Sequence, residues 1–301
     1  MKKAMLASVI LLVVSLVSTV CFGVALGAQG IRALFGQSGL VQDWAQSALE
    51  WRDAVLYTTD ILEENENIRL FSRESEPLPA AANLEIDAQV GNILLFPSET
   101  GAASVVLEQY SAKKAPSCAY TLSVSGNKIS LAADDTLDGT VALLKVYLPQ
   151  EVRSVTAKTA LGGIHFGRVS LTKADLQTQS GGIVLESGGR VQTASVYSAV
   201  GGIAVSDAFT ATDSLTLTSD CGDVELGLPQ EQPFTLHYTV ETGTVETDAE
   251  LPAAWQHSVQ TAGSRCTGSL ANSDAALPHA RYQVQIGIGN LELDYDTIWD
   301  D

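Results

Sequence analysis

Positive charge is what this 301-residue sequence has little of. Its 17 lysines and arginines stand against 35 aspartates and glutamates, which gives a formal charge of −18. Because phosphate-bearing polymers bind basic surfaces, this balance argues against nucleic acid as a partner. Anionic lipid headgroups and anionic wall polymers are also repelled unless cations bridge them.

Cysteine is scarce and follows no pattern. Cys21 lies within an apolar N-terminal run, which leaves Cys118, Cys221 and Cys266 in the rest of the chain. An odd number excludes a complete disulfide framework, although one pair among the three stays open. None of the three has a second cysteine at C-x-x-C spacing, which argues against structural zinc. Isolated buried thiols are the simplest interpretation.

The sequence also lacks the motifs that identify a particular enzymatic reaction. The sequence has no Gly-x-Ser-x-Gly elbow, phosphate loop or Gly-x-Gly-x-x-Gly fingerprint. Cys266 with His257 or His279 would be a nucleophile and base, but no transpeptidase-like motif surrounds the cysteine. The four histidines are not spaced in the sequence as metal ligands usually are; they are His165, His237, His257 and His279. We therefore predict no enzyme, no catalytic residue, no cofactor and no metal site.

Two groups of acidic residues can each be interpreted either as a functional site or as ordinary polar residues of turns and loops. Residues 134–139 resemble the first half of a calcium loop, but Lys145 stands where the loop needs its bidentate Glu, and a turn explains them equally well. Four aspartates near successive turns could converge as sugar-cleaving carboxylates, although solvated loop charge is the favoured interpretation. These four are Asp207, Asp213, Asp220 and Asp223.

The N-terminus carries a long uncharged segment. As a helix the 25 residues 4–28 would span about 37 Å, more than the bilayer hydrocarbon core of about 30 Å. Lys2 and Lys3 before them favour a cytoplasmic N-terminus. Residues 1–28 are therefore predicted to be a single-pass membrane anchor, with everything after them extracytoplasmic. Cleavage as a signal peptide before Ala28 and lipoprotein processing before Cys21 stay open as alternatives.

A stalk is predicted over residues 29–82. Within it, apolar residues in 38–57 recur at spacings of three, four and seven, which is typical of an amphipathic helix. The apolar residues are Leu40, Val41, Trp44, Ala48, Trp51 and Val55. Such a helix could cap the following domain, lie on the membrane, self-associate or bind a partner. Residues 72–83 are polar and contain Pro77 and Pro79, so they are the predicted linker.

A repeat begins beyond this stalk and fills residues 83–295. Its unit has an apolar residue, four mixed positions, a glycine, and then two apolar residues spaced by one. Six copies contain Gly162, Gly181, Gly201, Gly222, Gly243 and Gly289. The spacings are 19, 20, 21, 21 and 46 residues, so we expect a degenerate turn near 263–270. Upstream, Gly91 and Gly126 recur at 35 and 36 residues, which predicts intervening hairpins.

The repeat predicts a mainly β fold of the solenoid type. Alternating apolar residues place one side of each strand on a core. Glycine lets the chain turn a corner, and stacked turns bury a face that each turn alone leaves open. All eight glycines named above are expected at turns. Whether residues 83–150 form a separate domain stays open, and residues 296–301 form an acidic tail.

The serial order of these units resembles a known family. The passages NLEIDAQVGNILL (83–95) and LLKVYLPQEVRSVTAKTALGGIHF (143–166), with the S/T-x-x-G-x-I/V-x-L units, are similar to the adhesin-like β-strand-repeat proteins of Gram-positive envelopes, including LiaG-like membrane proteins. The resemblance covers residues 83–293 and implies no catalytic residues. It implies a non-enzymatic envelope protein, an adhesin or interaction scaffold, whose partner is an envelope or surface component. The alternatives are an accessory membrane protein in envelope-stress signalling and a polysaccharide-acting β-helix enzyme.

Overall fold

The alternating segments of the repeat form strands, and every regular element described is β. The computed structural model describes residues 69–79, 81–111, 120–133, 140–229, 232–247, 251–252, 255–272 and 279–295. No helix in these ranges is long and apolar enough to cross a bilayer. The predicted membrane anchor, the amphipathic segment, the calcium-loop candidate, Cys118 and the acidic tail all lie outside them.

Twenty-one strands make up the described part of the chain. They are β1 Arg69–Pro77, β2 Asn83–Val90, β3 Asn92–Pro97, β4 Ser104–Ser111, β5 Tyr120–Ser125, β6 Lys128–Ala133, β7 Thr140–Leu148, β8 Ser154–Leu161, β9 Ile164–Phe166, β10 Ser170–Ser180, β11 Ile183–Leu185, β12 Arg190–Val200, β13 Ile203–Val205, β14 Thr210–Cys221, β15 Val224–Gly227, β16 Phe234–Thr242, β17 Val245–Thr247, β18 Gln256–Ala262, β19 Arg265–Ala271, β20 Ala280–Ile288 and β21 Leu291–Asp294.

These strands form two sheets that face each other across one core. Sheet A has the order β1-β4-β7-β3-β9-β11-β13-β15-β21-β17, and sheet B has the order β18-β19-β16-β20-β14-β12-β10-β8-β2-β6-β5. Each copy of the repeat is one rung: a long strand in sheet B, a glycine corner and a short strand in sheet A. Successive rungs pair in parallel, as a stack of identical turns requires.

The inward-facing positions agree with the sequence pattern. The two apolar residues after each corner glycine are buried in five rungs; they are Ile164/Phe166, Ile183/Leu185, Ile203/Val205, Val224/Leu226 and Leu291/Leu293. The sixth rung differs, since Val245 and Thr247 at the edge of sheet A are partly or fully exposed. The predicted alternation, and with it the mainly β stacked fold, is confirmed.

The order of the last two rungs differs from the order of the sequence. Strand β20 lies between β14 and β16, so that Val284 pairs with Leu217 on one side and with Tyr238 on the other. The degenerate turn expected at 263–270 is wrong, because Gly263 joins the antiparallel hairpin β18–β19 at the edge of sheet B. Every rung presents the same backbone edge and a similar row of apolar side chains. The repeat pattern alone therefore could not predict that β20 lies between β14 and β16.

The upstream half continues the same stack. Strands β2 and β3 pair in parallel with β8 and β9, and their inward side chains belong to the same core, so residues 83–150 are not separate from the rest. Gly126 lies in the β5–β6 hairpin turn rather than at a corner. The first half of the linker expected at 72–83 belongs to strand β1, which pairs with β4. As an edge strand beyond the end of the core, β1 shows no apolar alternation.

Candidate functional site

The corner glycines form a column along one side of the stack. In spatial order they are Gly91, Gly162, Gly181, Gly201, Gly222, Gly289 and Gly243. Each has a positive φ. At Gly201 an added Cβ would overlap the carbonyl group of Gly181 in the next rung, so only glycine allows the corners to approach this closely.

Buried hydroxyl groups accompany this column on its inner side. Thr159, Thr178 and Ser198 each donate a hydrogen bond to the glycine carbonyl of the neighbouring rung, over 3.1, 2.8 and 3.1 Å. Ser219 does the same at 3.4 Å. A corner carbonyl buried without a partner would lose stability, so these hydroxyls explain the Ser/Thr position three residues before the glycine. The column and its hydroxyls are therefore structural.

A cleft on the outward face of sheet A is the strongest candidate for a binding site. It lies where β3 and β7 end and has a volume of about 580 Å³. We call it the β3–β7 cleft; it is lined by Phe96, Pro97, Ser98, Glu99, Thr100, Ser104, Lys145, Tyr147, Arg168 and Glu186. Because the rungs bring β3, β7 and the loop after β9 side by side, residues far apart in sequence meet here.

Aromatic rings form one wall of this cleft. Phe96 and Tyr147 lie on the paired strands β3 and β7 with ring centroids 5.8 Å apart and a 30° tilt. The ring of His165 meets Phe96 edge-on at 6.0 Å. Phe96 and Tyr147 are both half-buried, so part of each ring faces solvent. Such rings offer an apolar surface with a polar edge to a ligand.

Charged groups on β9, β11 and their loops form the opposite wall. His165 Nε2 lies 3.3 Å from Glu186 Oε2, and Arg168 Nε lies 3.9 Å from Glu186 Oε1. The hydrogen bond with His165 lowers the pKa of Glu186; burial opposes it, and the charges of His165 and Arg168 add to the lowering. Glu186 is therefore an ionised acceptor rather than an acid that could donate a proton at neutral pH.

Behind the cleft, a buried ion pair interrupts the outward face of sheet A. Lys145 Nζ lies 2.8 Å from Glu108 Oε2, with side chains 11% and 5% exposed. The hydroxyl of Tyr110 donates to Glu108 at 2.9 Å, and Arg73 lies 3.5 Å away. Burial alone would raise the pKa of Glu108, but the hydrogen bonds from Lys145 and Tyr110 and the charges of Lys145 and Arg73 lower it overall.

The cleft is electrically balanced although the chain is acidic. Lys145 and Arg168 contribute +2, and Glu99 and Glu186 contribute −2, so the lining sums to zero against −18 for the whole chain. Arg168 is paired with Glu186, and Lys145 is paired with Glu108, which lies outside the lining. Such a site suits a ligand that is neutral overall, with an apolar face for the rings and hydroxyl groups for the charged wall.

The four aspartates proposed as sugar-cleaving carboxylates do not converge. Asp207 precedes β14 and Asp213 lies near its start, whereas Asp220 and Asp223 lie at its far end. Seven residues of strand separate Asp213 from Asp220, which is about 23 Å. Glycosidase carboxylates stand within about 10 Å. Moreover, the Tyr197 hydroxyl donates to Asp220 at 2.6 Å. This hydrogen bond joins two surface side chains, whereas a glycosidase needs a pair of neighbouring carboxyl groups.

Cys266 and His257 lie on the paired strands β19 and β18, but Cys266 is opposite Thr261, four residues along β18 from His257 and so about 13 Å away along the strand. Cys221 and Cys266 are both thiols, on β14 and β19. His257 Nε2 lies 3.0 Å from the hydroxyl of Tyr238, whereas His165 lies 3.3 Å from Glu186 of the β3–β7 cleft. Within the described ranges, no three His, Cys, Asp or Glu side chains come together as metal ligands.

Sequence reasoning missed the cleft, although a local signal pointed to it. Glu108 and Lys145 each interrupt an otherwise apolar strand, in SVVLEQY (104–110) and TVALLKVYL (140–148). A charged residue at a buried position usually has a partner, so these two predict a buried pair and adjoining polar site. Arg168 and Glu186 carry no such signal, because each lies in an ordinary polar turn.

The two-sheet stack agrees with a family comparison. The family model described as Toastrack DUF4097 matches residues 123–275, about half of the chain. The chain belongs to the Toastrack DUF4097 family. No curated protein matches this Toastrack chain in sequence.

Two solved structures are similar to this Toastrack chain over nearly their whole length. A cell adhesion protein candidate of Clostridium sporogenes shows 10% identity and a TM-score of 0.42, covering 75% of this chain and 99% of that one. An adhesin candidate of Bacteroides fragilis shows 16% identity and a TM-score of 0.38, covering 74% of this chain and 97% of that one.

Proposed function

We propose that this Toastrack chain is a non-enzymatic envelope protein whose strand stack binds an envelope glycan through the β3–β7 cleft. Residues 4–28 anchor it in the membrane, and the stack is displayed outside the cell as an adhesin-like scaffold. The observation that carries the glycan assignment is the half-exposed Phe96–Tyr147 pair facing a charge-balanced polar wall.

The chemistry of sugars matches the two walls. A pyranose ring has a face of C–H groups that packs on aromatic rings, and hydroxyl groups that bond to carboxylate and guanidinium groups. The ionised Glu186 accepts such hydroxyls, while Arg168 beside it donates. A polyanion is disfavoured, because the surrounding charge is strongly negative and the cleft has no surplus of positive charge.

Binding to peptidoglycan sacculi stripped of anionic polymers tests this assignment. Tyr147→Ala removes one ring of the wall, and Tyr197→Ala removes a partly exposed ring from sheet B as a matched control. We expect co-sedimentation of the unaltered chain and the Tyr197→Ala chain, with at least about tenfold weaker binding for Tyr147→Ala, the loss of about 1.4 kcal/mol. Equal binding by the two variants, or none by the unaltered chain, would refute the glycan assignment.

A further inference from the structure

Sheet B ends in a strand with one open edge. Strand β18 pairs with β19 on one side and is the last described strand of the sheet. All seven of its residues are exposed. Every second residue of an antiparallel edge strand points its N–H and C=O groups away from its neighbour. The open edge of β18 therefore presents backbone donors and acceptors to which another strand can bond.

This edge lacks the features that usually prevent edge strands from pairing. Those features are charged side chains, proline, a β-bulge and a short strand. The sequence of β18, QHSVQTA, has no aspartate, glutamate, lysine, arginine or proline, and its register with β19 is unbroken over seven pairs. In sheet A, by contrast, the edge strand β1 has four charged residues, Pro77 and a register shift, and the edge strand β17 is three residues long.

Side-chain hydrogen bonds hold β18 in place on both of its faces. On the core side, the hydroxyl of Tyr238 reaches across Gly268 to His257 Nε2 at 3.0 Å. On the outer side, Ser258 Oγ and Ser269 Oγ are 2.9 Å apart. A strand that is already ordered loses little conformational freedom when a second strand pairs with it.

One apolar side chain of β18 is exposed on the face that is buried elsewhere in sheet B. Val259 pairs with Gly268, which alternates with the buried Cys266 and Leu270 along β19. Val259 is nevertheless 47% exposed. Sheet A ends at β17, which belongs to the same rung as β16, whereas sheet B continues for two more strands. No described strand of sheet A therefore lies opposite Val259 or beside β18.

We propose that β18 pairs with β18 of a second copy of the chain, antiparallel and around a two-fold axis that passes beside Val259. This residue is the middle one of the seven, so the two valines lie opposite each other and cover each other's exposed side chains. The same register places Ser258 opposite Gln260 of the second copy. It also places His257 opposite Thr261, and the side chains of both pairs contain hydrogen-bond donors and acceptors. The edge is therefore self-complementary, as a two-fold axis requires.

The distribution of charge favours contact between two copies at this edge. Two chains that each carry a charge of −18 repel each other. Residues 251–272, which include the whole β18–β19 hairpin, contain no aspartate or glutamate. Their one lysine or arginine is Arg265, whose Nε lies 3.3 Å from Glu241 Oε1. Two acidic chains can therefore meet here without placing carboxylates against each other.

The other edge of sheet B fits a second copy less well. Strand β5 also lacks charged residues, but its core-side residues Leu122 and Val124 pack against the main core, which leaves less apolar surface for a partner. Pairing of β5 with β18 of the next copy would moreover repeat without closing and would produce a filament. Pairing of β18 with itself closes as a dimer.

Disulfide cross-linking of the full chain, in mild detergent with copper phenanthroline as the oxidant, tests this register. Val259→Cys places two thiols directly opposite each other, with Cα atoms about 4.5–5.5 Å apart, a separation that a disulfide can bridge. We expect it to yield at least about tenfold more cross-linked dimer than Leu161→Cys, a control site that is 46% exposed. Mass spectrometry of the linked peptides separates this bond from any formed by the chain's own cysteines.

Two further variants test the antiparallel arrangement. His257→Cys and Thr261→Cys should cross-link with each other when co-expressed, but neither with itself, because like residues lie about 13 Å apart along the paired strands. Adding Val259→Lys to both should lower the yield at least about tenfold, since two lysines would then face each other. Adding Leu161→Lys, the matched control, should leave the yield unchanged.

Each other outcome overturns the proposal. Equal yields from Val259→Cys and Leu161→Cys would show random collision only, and a disulfide between two copies of His257→Cys would show another register. Pairing of β18 with β5 would give no disulfide between two copies of Val259→Cys. Protection of the buried Cys266 from N-ethylmaleimide verifies that each variant is folded. Since β18 lies at the opposite end of sheet B from β2, whose rung contains β3, either result leaves the glycan assignment of the cleft untouched.

Discussion

The corner column leads to a prediction about two adjacent glycines. Gly201 and Gly202 are neighbours in one corner, but an added Cβ has different surroundings at each. At Gly201 it would lie 2.7 Å from the carbonyl carbon of Gly181, on a backbone with φ of +135°. At Gly202 its nearest neighbour would be the carbonyl oxygen of Asp223 at 3.4 Å, an ordinary contact. The same substitution should therefore have two different effects.

The cost of Gly201→Ala can be worked out from the structure. A non-glycine residue at this φ costs about 1–3 kcal/mol. Relieving the collision moves the rungs apart and weakens two hydrogen bonds, from Gly181 N to Val200 O at 2.9 Å and from Ser198 Oγ to Gly181 O at 3.1 Å. At about 0.5–1.5 kcal/mol each, the total is about 4 kcal/mol, which lowers Tm by about 8–16 °C.

Urea unfolding followed by far-UV circular dichroism measures this cost. We expect Gly201→Ala to lower the transition midpoint at an unchanged slope, and Gly202→Ala to change the free energy of unfolding by less than about 1 kcal/mol. Equal midpoints for the two variants would refute the close approach of the corners. A changed slope for Gly201→Ala would show instead that unfolding is no longer one cooperative step.

Three further predictions follow from polar groups of the stack. Thr178→Val leaves the buried carbonyl of Gly162 without its donor and should lower the free energy of unfolding in urea by about 1–3 kcal/mol. Thr218→Val, on the outward face of sheet B, should lower it by less than about 1 kcal/mol. Lys145→Met leaves Glu108 buried without its main partner and should cost about 3 kcal/mol at neutral pH; a second change, Glu108→Leu, should recover most of that loss, and no recovery would contradict the pairing. Because the pKa of Glu186 is lowered on folding, its contribution is present above the unfolded value of about 4.5 and is lost as pH falls through the folded pKa. Glu186→Gln should therefore flatten the fall of Tm below about pH 4.5, and an unchanged profile would contradict this ion pair.

The candidate site shows how far local patterns reach. Glu108 and Lys145 are visible as charges within apolar strands, so a buried pair could have been predicted from the sequence. Their position beside Phe96, Tyr147 and Glu186 could not, because these residues come from three separate strands and their turns. Only the pairing of β7 with β3, of β3 with β9 and of β9 with β11 brings them to one cleft.

The sequence by itself determined the rung: which residues alternate into the core, where the glycine corner lies, and that the turns stack. These features depend on strand periodicity and on the local freedom of glycine, so neighbouring residues suffice to specify them. The tertiary structure alone decided the order of the rungs, with β20 placed between β14 and β16, and the use of 263–270 as an edge hairpin. Since every rung presents nearly the same backbone edge and apolar row, neighbours are chosen by the connections and ends of the stack, which no local pattern records.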